Sequence, residues 1–269
     1  MLCNEGDLLR RVVVCPPREA YFQVEDLAAH NIAQLAVREV AIAQHQRLCR
    51  ALAAHGAEVI SVPELSRHPN SIFTQDPLFC APAGFVRLRM GLPSRRGEEA
   101  WLAAVLEELG FPEVGVIEPP GIAEGGDIIL AGEVAFVGRS SRTNDEGIAQ
   151  LRAILAPMGY EIRVADVPIP SLHIGGMMSM VGPRAVLACE GAFPPGFFEG
   201  FEVISIPKES FVSGNVIALG DGRVIVEQRN FAARKLLDWA GYSVQSLNLS
   251  EFLKGSGGPT CLILPVARG

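Results

Sequence analysis

Residues 257–269 read Gly-Gly-Pro-Thr-Cys-Leu-Ile-Leu-Pro-Val-Ala-Arg-Gly and place one cysteine, Cys261, at the mouth of a short apolar strand that has no helix of its own. At the other end of the chain the unit is one strand short. There the apolar run 9–14 stops at Pro16-Pro17, the pattern of residues 26–55 predicts a helix ended by Gly56, and residues 57–62 read as a strand. Between these ends the order hairpin, helix, strand recurs. The second unit has a hairpin over 78–88 turning at residues 81–84, an amphipathic helix through Trp101, Leu102, Val105, Leu106 and Leu109, and a strand at 114–117. In the third, hairpin 127–137 leads to a helix opened by a Thr143-x-x-Glu146 capping box and then to strand 160–164. The fourth turns at Gly182-Pro183, keeps only a short helical piece at 194–200, and ends in strand 201–206. The fifth turns at Asp221-Gly222, followed by helix 230–239 and strand 242–247. Five units with a period near fifty, whose last strand completes the first unit, predict a closed radial array of ββαβ repeats around an axis, with the helices outside. We therefore expect one domain over residues 1–269.

Polar residues fall at equivalent places, the entry to the first hairpin strand of each unit: Asp76, Glu124 with Asp127, His173, Ser213 with Asn215, and Cys261. From Asp76 the steps are 48, 49, 40 and 48 residues. In a closed array equivalent positions converge at one end of the axis, so these groups are predicted to line one pocket. Taken singly, each has a plainer reading: a buried inert thiol, a satisfied core histidine, a turn at Glu124-Gly-Gly-Asp127, a strand-end cap at Asp76. Taken together, a thiol supplies a nucleophile, a histidine passes a proton to a leaving group and later takes one from water, and a carboxylate orients the histidine. Asp76 points to the electrophile. A buried carboxylate beside a thiol opposes thiolate formation, yet it suits a planar guanidinium, whose charge would itself promote the thiolate. Arg95 and Arg142, in loops that precede two helices, are candidates for a substrate carboxylate.

Composition narrows the alternatives. Half the residues are apolar (49%), a fifth are charged (20%), and the formal charge is −7, which repels phosphate backbones; with no basic run, nucleic acid is not expected as a partner. The glycine pairs at 125 and 175 lack the setting of a phosphate-binding loop. Cysteines at 3, 15, 49, 80, 189 and 261 form no Cys-x-x-Cys pair, so neither a structural metal nor a disulfide framework is expected. No apolar run is long enough to span a bilayer, and the N-terminal residues 1–11 lack the pattern of a secretory signal. A cytoplasmic enzyme without membrane, metal or cofactor is the expectation.

The ordered motifs Phe73-Thr74-Gln75-Asp76, Glu124-Gly125-Gly126-Asp127, residues 138–144 (Gly-Arg-Ser-Ser-Arg-Thr-Asn), Leu172-His173, Gly214-Asn215-Val216 and residues 257–261 resemble those of the guanidine-modifying superfamily of arginine deiminases and amidinotransferases, most closely the dimethylarginine dimethylaminohydrolases. The resemblance spans essentially the whole chain. It implies a five-bladed α/β propeller, Cys261 as nucleophile, His173 as general acid and base, and Glu124 orienting it. Asp76 would grip a guanidinium, while Arg95 and Arg142 would take the carboxylate of a small guanidino or amino acid-like substrate. The product would be a ureido compound of the citrulline type, with a homodimer as the assembly considered. Two positions depart from the family's acids: Asn70 and Gln75, both neutral, in the stretch that contacts substrate. An amidinotransferase, a biosynthetic homologue acting on a non-guanidine substrate, and a catalytically silent amino acid sensor are the competing readings.

Overall fold

The two ends of the chain meet in one sheet. In the computed structural model, which describes residues 3–269, β1 (Leu9–Val14) is followed by α1 (Glu19–Phe22), α2 (Arg38–Ala54) and β2 (Glu58–Ser61). The second unit contains β3 (Leu78–Ala81), β4 (Gly84–Arg87), α3 (Glu98–Glu108) and β5 (Glu113–Val116). The third contains β6 (Ile128–Ala131), β7 (Val134–Arg139), α4 (Asp145–Leu155) and β8 (Glu161–Asp166). In the fourth are β9 (Met178–Gly182), β10 (Ala185–Cys189) and β11 (Glu202–Ile206). The fifth has β12 (Val216–Gly220), β13 (Arg223–Glu227), α5 (Phe231–Trp239) and β14 (Ser243–Leu247), and the chain ends with α6 (Ser250–Leu253) and β15 (Leu264–Arg268). Each sheet has three strands, and the one that closes the ring runs β15-β1-β2. The fold is the five-bladed α/β propeller that the repeat predicts. Met1 and Leu2, where the reading of the N-terminus begins, lie outside the described residues. Among those residues no helix is long and apolar enough to cross a membrane.

Within every blade the hairpin is antiparallel and its second strand pairs in parallel with the third, as a helical crossover requires. First hairpin strands face the axis and touch from blade to blade, β3 with β15, β6 with β9 and β9 with β12. Among them β3, β6 and β12 are buried on both faces and read as near-continuous apolar runs, and β9 buries Ser179 within its run, whereas third strands such as β2 and β14 are half exposed. The turn at Asp221-Gly222 has positive φ at both residues (51° and 69°), the geometry that matches the twist of a two-residue hairpin.

Three details differ from the sequence reading. Residues 26–37 are not helical: Asn31 adopts φ 53°, and the segment is tied to the far end of the chain through Ala33 N to Lys254 O (2.8 Å) and Ser256 Oγ to Asn31 O (2.9 Å). The helix over α4 is capped by Asn144, whose side chain accepts from Gly147 N at 2.8 Å, and not by a box at Thr143. In the fourth blade residues 194–200 form turns, and an aromatic cluster takes the place of the helix, with Phe136 lying 5.1 Å from Phe197, 5.5 Å from Phe198 and 5.2 Å from Phe201.

Candidate active site

Short 3₁₀ turns lead into the axial strands and hold the polar residues. Glu124 precedes the turn Gly125–Asp127, His173 precedes Ile174–Gly176, and Cys261 sits inside the turn Thr260–Leu262, just ahead of β15 and not in a strand. Because the turns belong to successive blades, their side chains converge. His173 Nε2 lies 2.8 Å from Glu124 Oε2, and His173 Nδ1 lies 3.9 Å from Asp76 Oδ1. The glycine after Gly125 is required by this approach, since a Cβ on Gly126 would lie 2.6 Å from His173 Nδ1. Asp127 supports the histidine from behind, accepting from Ile174 N (2.9 Å) and from Ser140 Oγ (2.5 Å). Asn215 bridges Gly175 O (2.8 Å) and Thr260 (2.7 Å to Oγ1) and so fixes the turn that carries Cys261. Ser213 accepts from Glu209 N and Ser210 N within its own loop and does not line the site.

Two cavities meet at Cys261 and His173. The first, of about 330 Å³ counting its open mouth, includes Asn70, Asp76, Leu92, Arg95 and Arg142 in its wall. The second, of about 300 Å³ on the same measure, is lined by Gln75, Phe211, Val212 and a run of glycines. Leu172, His173, Ser256 and Cys261 belong to both. Asn70 and Gln75, which the sequence places together, thus face different spaces.

Charge is distributed unevenly between them. Arg95 is buried and donates to Asp76 Oδ2 (2.6 Å), to Glu98 Oε2 from both Nε (3.0 Å) and Nη2 (2.7 Å), and to the carbonyls of Asn70 and Phe73. Glu98, which the sequence reading missed, is fully buried three residues after Arg95. Its other oxygen has no partner, and neither do Asp76 Oδ1 and Asn70 Oδ1. A buried acceptor left unmet costs roughly 1–3 kcal/mol, and two of these three atoms, Asp76 Oδ1 and Asn70 Oδ1, belong to residues that line the first cavity. Arg142 makes one long contact, 3.4 Å from Nη1 to Glu124 Oε1.

Burial alone would lower the His173 pKa, but the carboxylates of Asp76, Asp127 and Glu124 outweigh it and raise it to about 9, so the ring is an imidazolium at neutral pH. For Glu124 burial is likewise outweighed, here by the hydrogen bond and charge of His173 and by the two arginines, and its carboxyl is held below the ordinary range. Cys261 is reached by both cavities yet enclosed by protein, and burial first, then the Asp76 charge, pushes its thiol up to about 12. The resting site therefore holds a thiol and an imidazolium. Asp76, Glu124 and His173 also place ligand atoms within 4.8 Å of one another. Those donors are already engaged, Asp76 by Arg95 and Glu124 by His173 and Arg142, so the trio is an ion-pair network in its own right.

With this geometry in hand, residues 21–268 match the model of the family described as N,N dimethylarginine dimethylhydrolase, eukaryotic. The N(G),N(G)-dimethylarginine dimethylaminohydrolase of Pseudomonas aeruginosa is 31% identical, with 83% of this chain and 87% of that protein covered. A solved structure of a cysteine-to-serine mutant of the Pseudomonas aeruginosa enzyme, complexed with citrulline, superposes with a TM-score of 0.84 at 28% identity, covering 96% of this chain and 99% of that one. A histidine-to-glycine dimethylarginine dimethylaminohydrolase, solved as an adduct with S-methyl-L-thiocitrulline, gives a TM-score of 0.84 at 27% identity with coverage of 96% and 99%.

Proposed function

The chain belongs to the dimethylarginine dimethylaminohydrolase family, within the guanidine-modifying superfamily, and from that premise we propose that it is a single-domain hydrolase cleaving a C–N bond of an arginine-like guanidino substrate through a thiouronium on Cys261. An amine leaves and a ureido product remains. The observation that carries the reading is the buried Oδ1 of Asp76, without a hydrogen-bond partner, on a residue that lines the same cavity as Cys261 and His173.

A guanidinium N–H edge on Asp76 Oδ1 brings a positive charge beside a thiol that Asp76 otherwise keeps protonated, and the thiol proton passes to solvent. Sγ then bonds to the guanidinium carbon. His173 keeps Nε2 on Glu124, which leaves Nδ1 on the cavity side to protonate the departing nitrogen as the C–N bond breaks. The neutral imidazole next takes a proton from the water that adds to the thiouronium carbon, and collapse expels the Cys261 thiolate as the new hydroxyl gives its proton to solvent and becomes the ureido C=O. Glu124 keeps the ring in one tautomer throughout. At the far end Arg142 receives the substrate carboxylate and Asn70 Oδ1 accepts from the ammonium group. Arg95, bound to four acceptors already, holds Asp76 in place of the carboxylate contact the resemblance implies.

The test is mass spectrometry of the protein after incubation with arginine, N-methylarginine, N,N-dimethylarginine and shorter guanidino acids. A ureido product, together with an adduct on Cys261 that Cys261→Ser abolishes, is the expected result. If every guanidine is recovered unchanged while Cys261 still reacts with an alkylating reagent, the reading fails.

A further inference from the structure

Arg95 and Asp76 are both buried, yet they share a single hydrogen bond, from Nη1 to Oδ2 at 2.6 Å. Asp76 Oδ1 is left without a hydrogen-bond partner. An arginine and a carboxylate ordinarily meet as a fork, with two parallel N–H groups on two oxygens. Here the fork is blocked. The Nε and Nη2 side of the guanidinium is taken by Glu98 Oε2, at 3.0 and 2.7 Å, and Nη2 also donates to the carbonyls of Asn70 (3.3 Å) and Phe73 (3.1 Å). Only Nη1 reaches Asp76.

The chain between the two partners is arranged for this contact. Arg95 ends the turn Pro93–Arg95 and Glu98 opens α3, and between them Gly97 bends the backbone with φ 107°. Glu99 pins the bend by accepting from Gly97 N (2.6 Å) and Met90 N (2.8 Å). Glu98 is thereby returned to Arg95 in a site with 0% exposure. As a device for stability alone the pair is a poor one. Glu98 Oε1 has no partner, and well-packed apolar side chains often serve as well as a buried ion pair or better. Standing one guanidinium away from Asp76, Glu98 has another use.

We propose that Glu98 is a positioning residue: by occupying the Nε and Nη2 side of Arg95 it prevents a fork onto Asp76 and so keeps Asp76 Oδ1 for the guanidinium of the substrate. This rests on the hydrolase reading and deepens it. Without an acceptor at position 98, Arg95 turns its free side to Asp76 and both carboxylate oxygens are consumed. The substrate's cation then competes with one that is already in place. The amino acid end of the ligand makes no use of Asp76 Oδ1, so the defect is confined to ligands whose central carbon carries the charge.

The experiment is isothermal titration calorimetry on the full chain carrying Cys261→Ser, so that binding is read without turnover. The ligands are arginine, N,N-dimethylarginine and citrulline; citrulline keeps the amino acid end but has a neutral ureido centre. The readout is the Kd of citrulline divided by that of the guanidine, a ratio that does not depend on how much protein is folded. Glu98→Ala is expected to lower this ratio about tenfold or more, the worth of one hydrogen bond to a charged group, whereas Glu98→Gln, whose carbonyl oxygen accepts from the same side of Arg95, should stay within about threefold of the parent. Glu98→Leu fills the same space without an acceptor; it should match the alanine variant and takes its place if that protein does not fold. An unchanged ratio in the alanine and leucine variants overturns the positioning role. So does a glutamine variant as impaired as alanine, because charge and not the occupied side of Arg95 is then what matters. Parallel weakening of guanidine and citrulline also overturns it, since that is the mark of a merely structural residue. Failure of the Cys261→Ser parent to bind either guanidine overturns the hydrolase reading and the positioning role with it.

Discussion

Replacing Asp76 by asparagine separates two properties that ordinarily move together, thiol reactivity and turnover. Cys261 is pushed up to about 12 from 9.0, by burial first and by the Asp76 charge next. Burial is the larger cause, and each pKa unit that the Asp76 charge contributes is about a tenfold change in thiolate fraction, roughly 1.4 kcal/mol. Its removal also frees Arg95 from the 2.6 Å ion pair, and that cation already favours the Cys261 thiolate. The assay is the rate of carbamidomethylation of Cys261 by iodoacetamide, followed by peptide mass spectrometry from about pH 7 to about pH 10. In wild type the rate should climb about tenfold for each pH unit with no plateau in that range, because the thiolate stays rare. Asp76→Asn should react about tenfold faster at each pH, while guanidine turnover falls about a hundredfold or more because the substrate cation loses its buried partner. Unchanged or slower alkylation would refute the reasoning, since something other than Asp76 would then be suppressing the thiolate.

Three further outcomes follow from buried charges and caps. His173 is raised to about 9 from 6.5, so its charged form adds stability that is complete below the unfolded value and is lost as pH rises through about 9; Tm of the wild type should fall across that window, and His173→Gln should flatten the fall in a differential scanning measurement. Glu98→Gln removes the acid that holds Arg95 by two hydrogen bonds in a fully buried site, and a urea titration should show a loss of about 3–5 kcal/mol; a loss under about 1 kcal/mol would mean that water reaches the pair. Asn144→Ala should cost about 1 kcal/mol by the same titration and Glu146→Ala nearly nothing, whereas the capping box expected at Thr143 would make Glu146 matter.

The ring could be read from the sequence because its evidence is arithmetic: one strand missing at the start, one left over at the end, and polar residues at near-equal steps. The pairing of β1 with β15 is that arithmetic realised. The convergence of Asp76, Glu124, His173 and Cys261 followed from the same symmetry. What could not be read depended on contacts far along the chain. Residues 26–37 carry a helix-like apolar spacing, but bonds to Lys254 and Ser256 compete with helix formation, and Asn31 takes a left-handed conformation that no helix allows. Thr143 looked like a cap, yet its hydroxyl is buried and accepts from Glu124 N (3.2 Å), which leaves the cap to its neighbour. Arg95 looked free for a ligand because the spacing to Glu98 is visible in the sequence whereas the burial of both is not.

Neutral Asn70 and Gln75 weaken the case for a cationic substrate, but the charges around the reacting groups favour one. Four acids act on His173 or Arg95: Asp76, Glu98, Glu124 and Asp127. Three cations face them, Arg95, Arg142 and His173. With Cys261 a neutral thiol and Glu98 raised to about 7, the acids exceed the cations by at most one charge, and Asp76 Oδ1 has no hydrogen-bond partner, its contact to His173 Nδ1 being 3.9 Å. Burial already pushes Glu98 up to about 7 and Asp127 to about 6, which shows how little uncompensated negative charge this interior tolerates. On the hydrolase reading a guanidinium would bring positive charge to Asp76 Oδ1, one of two buried carboxylate oxygens here without a hydrogen-bond partner, the other being Glu98 Oε1, and its arrival would favour the Cys261 thiolate. A neutral substrate would leave Asp76 unmatched and Cys261 protonated. On the proposed reading the neutral amides of Asn70 and Gln75, which line separate cavities, leave the charge at Asp76 unaltered.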